Sequence, residues 1–284
     1  MRTMITGRRR AATALASLAI AAAALPLTAC SASTSSGTDA STIKAVASTT
    51  QICDYITQLA SGGQDDGLSF ERTAADGTTE HIGADDAGAK TRLKLTCLLA
   101  PNASAHEHDM TPAQSKALSE ADLFFVSGVD LEHFLDDAVT STGFKGSMVV
   151  TSGVAGAADI DDLDAQKAKE KDLPYTIDRG TATVEVARWP FPPEDGESDP
   201  EFRFDPHVWT SPKNAIAQVT NIGAALEKAS PESAELLGSH VQAYVDRLND
   251  LDAWARTSLE TVPADKRVLF TSHDAFGYFS AEYG

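Results

Sequence analysis

Three of the seven histidines in this sequence share one local setting. His106 lies in SAHEHDMTP, directly before a segment whose Thr111, Pro112 and Gln114 spell a helix start. His207 lies in FDPHVWTSP, again ahead of a Ser-Pro helix start, and His273 follows the apolar run RVLFTS where a helical stretch begins. A neutral imidazole offers a nitrogen lone pair that suits borderline-soft divalent ions, so three of them on separate loops are material for a Zn2+ site. Their spacing does not show that they converge, and a lone loop histidine is as readily a surface or capping residue. The chain has no helix-borne HExxH pair, the arrangement that sets a general base beside a metal-bound water.

The elements that must carry these loops alternate between strand and helix. IKAVAS (43–48) reads as a short buried strand, and TTQICDYITQLA places Ile52, Tyr55, Ile56 and Leu59 at helical spacing. LKLTCLL (93–99) continues the sheet. Thr111, Pro112 and Gln114 then form a capping box with proline at the first helical position. DLFFVSG, LEHFLDDAV and SMVVTS repeat the strand, helix, strand pattern. The expectation is an α/β fold whose mostly parallel sheet is covered on both faces, with ligands at the carboxyl ends of its strands.

Two stretches interrupt the pattern. Residues 62–91 are Gly- and Asp-rich and read as a β-hairpin excursion outside the core; residues 156–203 are rich in Asp, Glu and Pro, lack histidine, and read as an exposed insertion with a small hairpin around Asp178–Gly180. Ser211 and Pro212 open a helix to Ala229, and Ser230 and Pro231 open another to about residue 260. That second helix carries Leu237, Val241, Tyr244, Leu248, Leu251 and Ala255 on one stripe, and at 1.5 Å per residue it is roughly 45 Å long. RVLFTS (267–272) reads as the next strand and HDAFGYFSAEYG as the next helix. The domain reading is an N-terminal lobe over 43–229, a linking helix over 230–260, and the start of a second lobe over 264–284.

Residues 1–29 read as an export signal, with basic Arg8–Arg10, apolar Ala11–Leu25, and then LTAC (27–30). LTAC resembles the lipobox of bacterial lipoproteins, which implies a lipidated Cys30, a flexible tether over 30–42, and an extracytoplasmic, membrane-anchored protein. With 23 basic and 41 acidic side chains the formal charge is −18, and loss of Arg2, Arg8, Arg9 and Arg10 with the signal makes it more acidic still. Nucleic acid is excluded as a partner on that balance. The remaining Cys53 and Cys97 are expected to pair in an exported protein, with buried free thiols as the alternative, and no CxxC spacing points to a thiolate metal site.

SAHEHDMTP (104–112), FDPHVWTSPKNA (204–215) and VLFTSHDAFGYFSAEYG (268–284), in that order, resemble the three signature stretches of the zinc- and manganese-binding lipoproteins of ABC importers, the ZnuA/TroA-like solute-binding family. LFFVSGVDLEHFLDD (123–137) resembles the family's stretch between the first two. The resemblance implies a two-lobed metal receptor joined by a long helix, a monomer that is not an enzyme, working with an ABC permease and its ATPase. It implies that His106, His207 and His273 are the metal ligands. A histidine at 273, where manganese-binding members tend to have a carboxylate, favours Zn2+ as cargo over Mn2+.

The sequence departs from the family in several places. Ser104-Ala105 stands where Asp-Pro is usual, and His108 stands where an aromatic is common; two residues along an extended loop, His108 is expected to point away from His106, as an accessory or solvated group. The histidine-rich loop of many zinc-binding members is missing. Family members continue past the equivalent of Gly284 and supply a fourth, carboxylate ligand, so only the first strand and helix of the second lobe are expected here. Asp205 is expected to orient an imidazole and Trp209 to pack in the core, while His81, His133 and His240 read as solvated or incidental. Against the receptor stand a zinc hydrolase using an open fourth position and a nonfunctional remnant.

Overall fold

The computed structural model describes residues 41–61, 67–85, 88–193, 196, 198–200 and 202–284, and the signal, Cys30 and most of the tether lie outside them. Strand β1 (Ser41–Ala47) leads through Thr49 into helix α1 (Thr50–Ala60), whose first turn is capped by the Thr49 hydroxyl accepting from the Ile52 N–H. Strands β2 (Leu68–Thr73), β3 (Thr79–Gly83) and β4 (Thr91–Cys97) follow, then α2 (Pro112–Ser119) with the expected capping box of Thr111 and Gln114. Next come β5 (Leu123–Val126), α3 (Leu135–Thr142), β6 (Ser147–Val150), α4 (Ala157–Glu170) and β7 (Thr176–Asp178). Helices α5 (Pro212–Ala229), α6 (Ala234–Glu260) and α7 (Gly277–Tyr283) complete the order.

The strands make one sheet, β3-β2-β4-β1-β5-β6-β7, parallel throughout except for the β2/β3 hairpin. Its central strands are apolar on both sides because both sides are covered. Ala45, Ala47 and Phe125 face a layer built from α1, α5 and α6, while Val46, Phe124 and Val126 face α2 and α3. Each fully buried Phe or Leu in these layers contributes about 1.5–3 kcal/mol. Cys53 on α1 and Cys97 at the end of β4 are joined, with Cα atoms 5.7 Å apart.

Four expectations are corrected. The 62–91 stretch is a hairpin, but β2 pairs in parallel with β4, so the hairpin extends the main sheet and Leu68 and Phe70 are core residues. The 156–203 stretch supplies α4 and the edge strand β7, and it buries Val184 and Phe202; there is no hairpin at 178–180, because Thr176–Asp178 pairs in parallel with β6. Arg179 ties this stretch together, donating to Asp159 at 2.8 and 2.7 Å and to Glu170 at 2.9 Å. Its many acids therefore serve partly inside the fold.

The third correction concerns α6. It is preceded by a 3-10 turn at Pro231–Ser233, and its 27 residues span about 40 Å. Leu237, Leu248 and Ala255 are buried as the stripe requires, but Leu251 is 46% exposed, and neighbouring Trp254 is 67% exposed. The far half of the helix runs past the core cluster, which ends for α6 at Leu248. The fourth correction is RVLFTS, which forms no strand: Val268, Leu269 and Phe270 are 66%, 53% and 91% exposed. A strand requires a neighbour for its N–H and C=O groups, and among the described residues none lies alongside this segment. Helix α7 does form, anchored by the Tyr278 hydroxyl donating to the Asp205 carbonyl at 2.9 Å.

Candidate metal centre

The site stands at the carboxyl end of the sheet. The loop after β4 delivers His106, whose Nδ1 is 3.2 Å from the Leu131 carbonyl in the β5–α3 loop, while the His133 N–H donates to the His106 carbonyl at 3.1 Å. That second loop is rigid for identifiable reasons. Gly128 has φ +86°, and a Cβ there would lie 2.3 Å from the Val154 carbonyl oxygen. The buried Glu132 carboxylate accepts from the N–H groups of Ser127 (2.6 Å) and Gly128 (3.2 Å) and from the Ser48 hydroxyl (2.6 Å). Burial pushes the Glu132 carboxyl above its ordinary range, and these hydrogen bonds oppose the shift.

His207 is fully buried just before α5. Asp205 Oδ1 accepts its backbone N–H at 3.0 Å and its ring Nδ1–H at 2.8 Å. A carboxylate or carbonyl oxygen only accepts, so Asp205 and Leu131 hold the protons of His207 and His106 on Nδ1, the tautomer in which Nε2 carries the lone pair. His273, exposed at the rim, brings its Nε2 to 3.1 Å from that of His207.

One nitrogen from each of His106, His207 and His273 falls within 4.8 Å of the others, and among the described residues this is the one grouping of three or more His, Cys, Asp or Glu donors so spaced. Four ligands at the usual zinc–nitrogen distance stand about 3.3 Å apart, so small movements of the rings would accommodate a tetrahedral ion. The cleft above them, about 350 Å3, is lined by Ser104, the three histidines and Trp209.

The family described as zinc-uptake complex component A, periplasmic, matches residues 78–284, a span that includes all three histidines. The chain belongs to this family. It is 30% identical over 210 residues to the manganese-binding lipoprotein MntA of Bacillus subtilis, covering 73% of this chain and 56% of that one. It is also 30% identical over 184 residues to the iron-binding protein YfeA of Yersinia pestis, covering 65% and 48%. The chain thus spans about half the length of the curated relatives it matches. The solved structure of the periplasmic zinc binding protein TroA from Treponema pallidum shares the fold, with a TM-score of 0.54 at 22% identity over 86% of this chain and 64% of that one. Manganese, iron and zinc all occur in the names of these relatives, so membership of the zinc-uptake component A family does not single out one ion.

Within this family member the other candidates fall into place around the trio. His108 is turned toward the start of α2, with Nε2 3.2 Å from Gln114 Oε1 and its ring against Phe134, outside the trio. Trp209 is half-buried with its ring 5.4 Å from His207, so it walls the cleft instead of packing in the core. His133 is exposed but not incidental: its ring lies 5.9 Å from that of His106, and its Nδ1 is 3.3 Å from Glu107 Oε1. His240 Nδ1 is 2.7 Å from the Leu59 carbonyl and joins α6 to α1, and His81 lies exposed on the hairpin. Sequence reading missed Glu132, Tyr278, Trp189 and Phe202. For Phe202 the available signal was the alternation in FRFDPH, which sets Phe202 and Phe204 on the approach to Asp205.

Proposed function

We propose that this chain is the extracytoplasmic receptor of an ABC-type metal importer, and that it captures Zn2+ on His106, His207 and His273. The observation that carries the reading is the meeting of three imidazoles from three separate loops, one nitrogen of each within 4.8 Å of the others, with the Nδ1 of His106 and of His207 beside an acceptor. Three neutral nitrogens are a donor set for zinc, whereas Mn2+ favours carboxylate and water oxygen, which sets zinc ahead of the manganese alternative. His207 lies at the base and His273 at the rim, so an arriving ion meets exposed groups before the buried one. The acidic chain raises the local concentration of cations.

An ABC permease and its ATPase are the partners of this reading, with a monomer held at the membrane through Cys30. No helix among the described residues is long and apolar enough to cross a membrane. Hydrolysis is the weaker reading, because Asp205, the carboxylate that touches the trio, is committed to His207 through two hydrogen bonds and is 1% exposed. The test is a chelator-competition titration with Zn2+ and Mn2+ on the wild type and on alanine variants at 106, 207 and 273. One tight zinc site, weakened by every variant, is the expected result. Unchanged zinc affinity in His207→Ala overturns the assignment.

A further inference from the structure

The back of the histidine cluster is aromatic. Phe202 is 4% exposed, and its ring centroid lies 5.1 Å from that of His106 and 6.0 Å from that of His207, with Trp189 behind it at 5.1 Å. It does not line the open cleft, which is bounded instead by Ser104, Trp209 and the histidines themselves. Phe202 is held there by main-chain pairing. The Trp189 N–H donates to the Arg203 carbonyl at 3.3 Å, the Asp205 N–H donates to the Ala187 carbonyl at 2.9 Å, and Arg188 bridges Phe204 in antiparallel fashion. The same short ladder that seats Phe202 therefore delivers Asp205, and through it His207.

This packing bears on which ion the site accepts. A ring against two imidazoles removes water from their backs and resists their spreading apart, as close-packed interiors resist any change of shape. Zinc is satisfied by four ligands in a tetrahedron, but manganese seeks an octahedral, oxygen-rich shell that retains water. Two inner imidazoles that resist spreading penalise the second ion more than the first. Resting on the assignment of the three histidines as ligands, we propose that Phe202 is a positioning residue that sets metal selectivity, bracing His106 and His207 so that the site favours a four-coordinate ion over a hydrated six-coordinate one.

The experiment compares wild type, Phe202→Leu and Phe202→Ala as full chains, with Zn2+ and Mn2+ affinities from chelator competition and the visible spectrum of the Co2+ form. In the wild type Co2+ gives the intense absorption of a tetrahedral ion. In Phe202→Ala that absorption falls toward the weak bands of a six-coordinate ion, and the Zn2+/Mn2+ affinity ratio drops by about tenfold or more, within the range found for groups that orient metal ligands. Phe202→Leu, which keeps the site apolar and filled, lies between, and it carries the test alone where the alanine variant does not fold. An unchanged Co2+ spectrum with an unchanged ratio, or equal losses for both ions, overturns the proposal while leaving the ligand assignment intact. A wild type with no zinc site overturns both.

Discussion

Substitution of Asp205 separates orientation of the His207 imidazole from stability of the fold. The carboxylate is 1% exposed and Oδ1 receives both the backbone N–H and the ring Nδ1–H of His207, at 3.0 and 2.8 Å. Oδ2 is buried and, among the described residues, has no hydrogen-bond partner. Asp205→Asn keeps the shape and an oxygen for His207 but removes the negative charge that strengthens the imidazole as a donor to metal. The expected cost is about 10–100-fold in zinc affinity, or roughly 1.4–2.8 kcal/mol. Stability of the metal-free protein changes by only about 1 kcal/mol, because loss of a buried charge offsets the amide N–H2 left without an acceptor. Asp205→Ala differs: it strands two donors of His207 at about 1–3 kcal/mol each, frees the ring to rotate, and lowers both affinity and melting temperature. Chelator competition and urea unfolding of the metal-free forms measure the two quantities. Wild-type zinc affinity in Asp205→Asn refutes the orienting role; a loss of stability in Asp205→Asn as large as in the alanine variant, at unchanged affinity, assigns Asp205 to the fold alone.

Gly277→Ala sets a Cβ 2.3 Å from Asp205 Oδ2, so it costs about 1–3 kcal/mol by overpacking and weakens zinc binding by displacing the carboxylate, both read by the same two assays. Glu132→Gln tests the buried carboxyl through pH. A folded-state value held above 4.5 means that the folded protein binds the proton more tightly, so this group's contribution to stability falls as pH rises from 4.5 through the raised value. The amide does not titrate, and urea midpoints across that range should show the variant gaining on wild type as pH rises; a constant gap refutes the assignment. Replacing Cys53 and Cys97 together by serine opens a link between residues 44 apart and lowers stability by about 4 kcal/mol in the chain-entropy account, measured by urea unfolding against the oxidised wild type.

How much of this was legible depended on the range over which each feature is decided. Local chemistry is written in the chain: the Thr111/Gln114 capping box, the proline at the head of α5 and the alternation of strands and helices all appear where the residues place them. FDPHVW announces a buried histidine with its carboxylate two residues away, because a pair so close in sequence depends on little else. Burial of polar stretches was not legible. The acids of 156–203 suggested solvent, yet Asp159 and Glu170 are consumed by Arg179, and Phe202 reaches the back of the site.

RVLFTS shows the opposite failure. Its apolar residues specify a willingness to be a strand, and a strand exists only where a second one offers its hydrogen bonds, which among the described residues does not happen here. By itself the sequence determined the α/β class, the starts of α1, α2 and α5, and the histidines worth weighing. Only the tertiary structure decided that His106, His207 and His273 meet while His108 turns away, and that an aromatic wall stands behind them. Propensity and capping act over a few neighbouring residues, whereas convergence of loops more than sixty residues apart is set by the sheet that carries them.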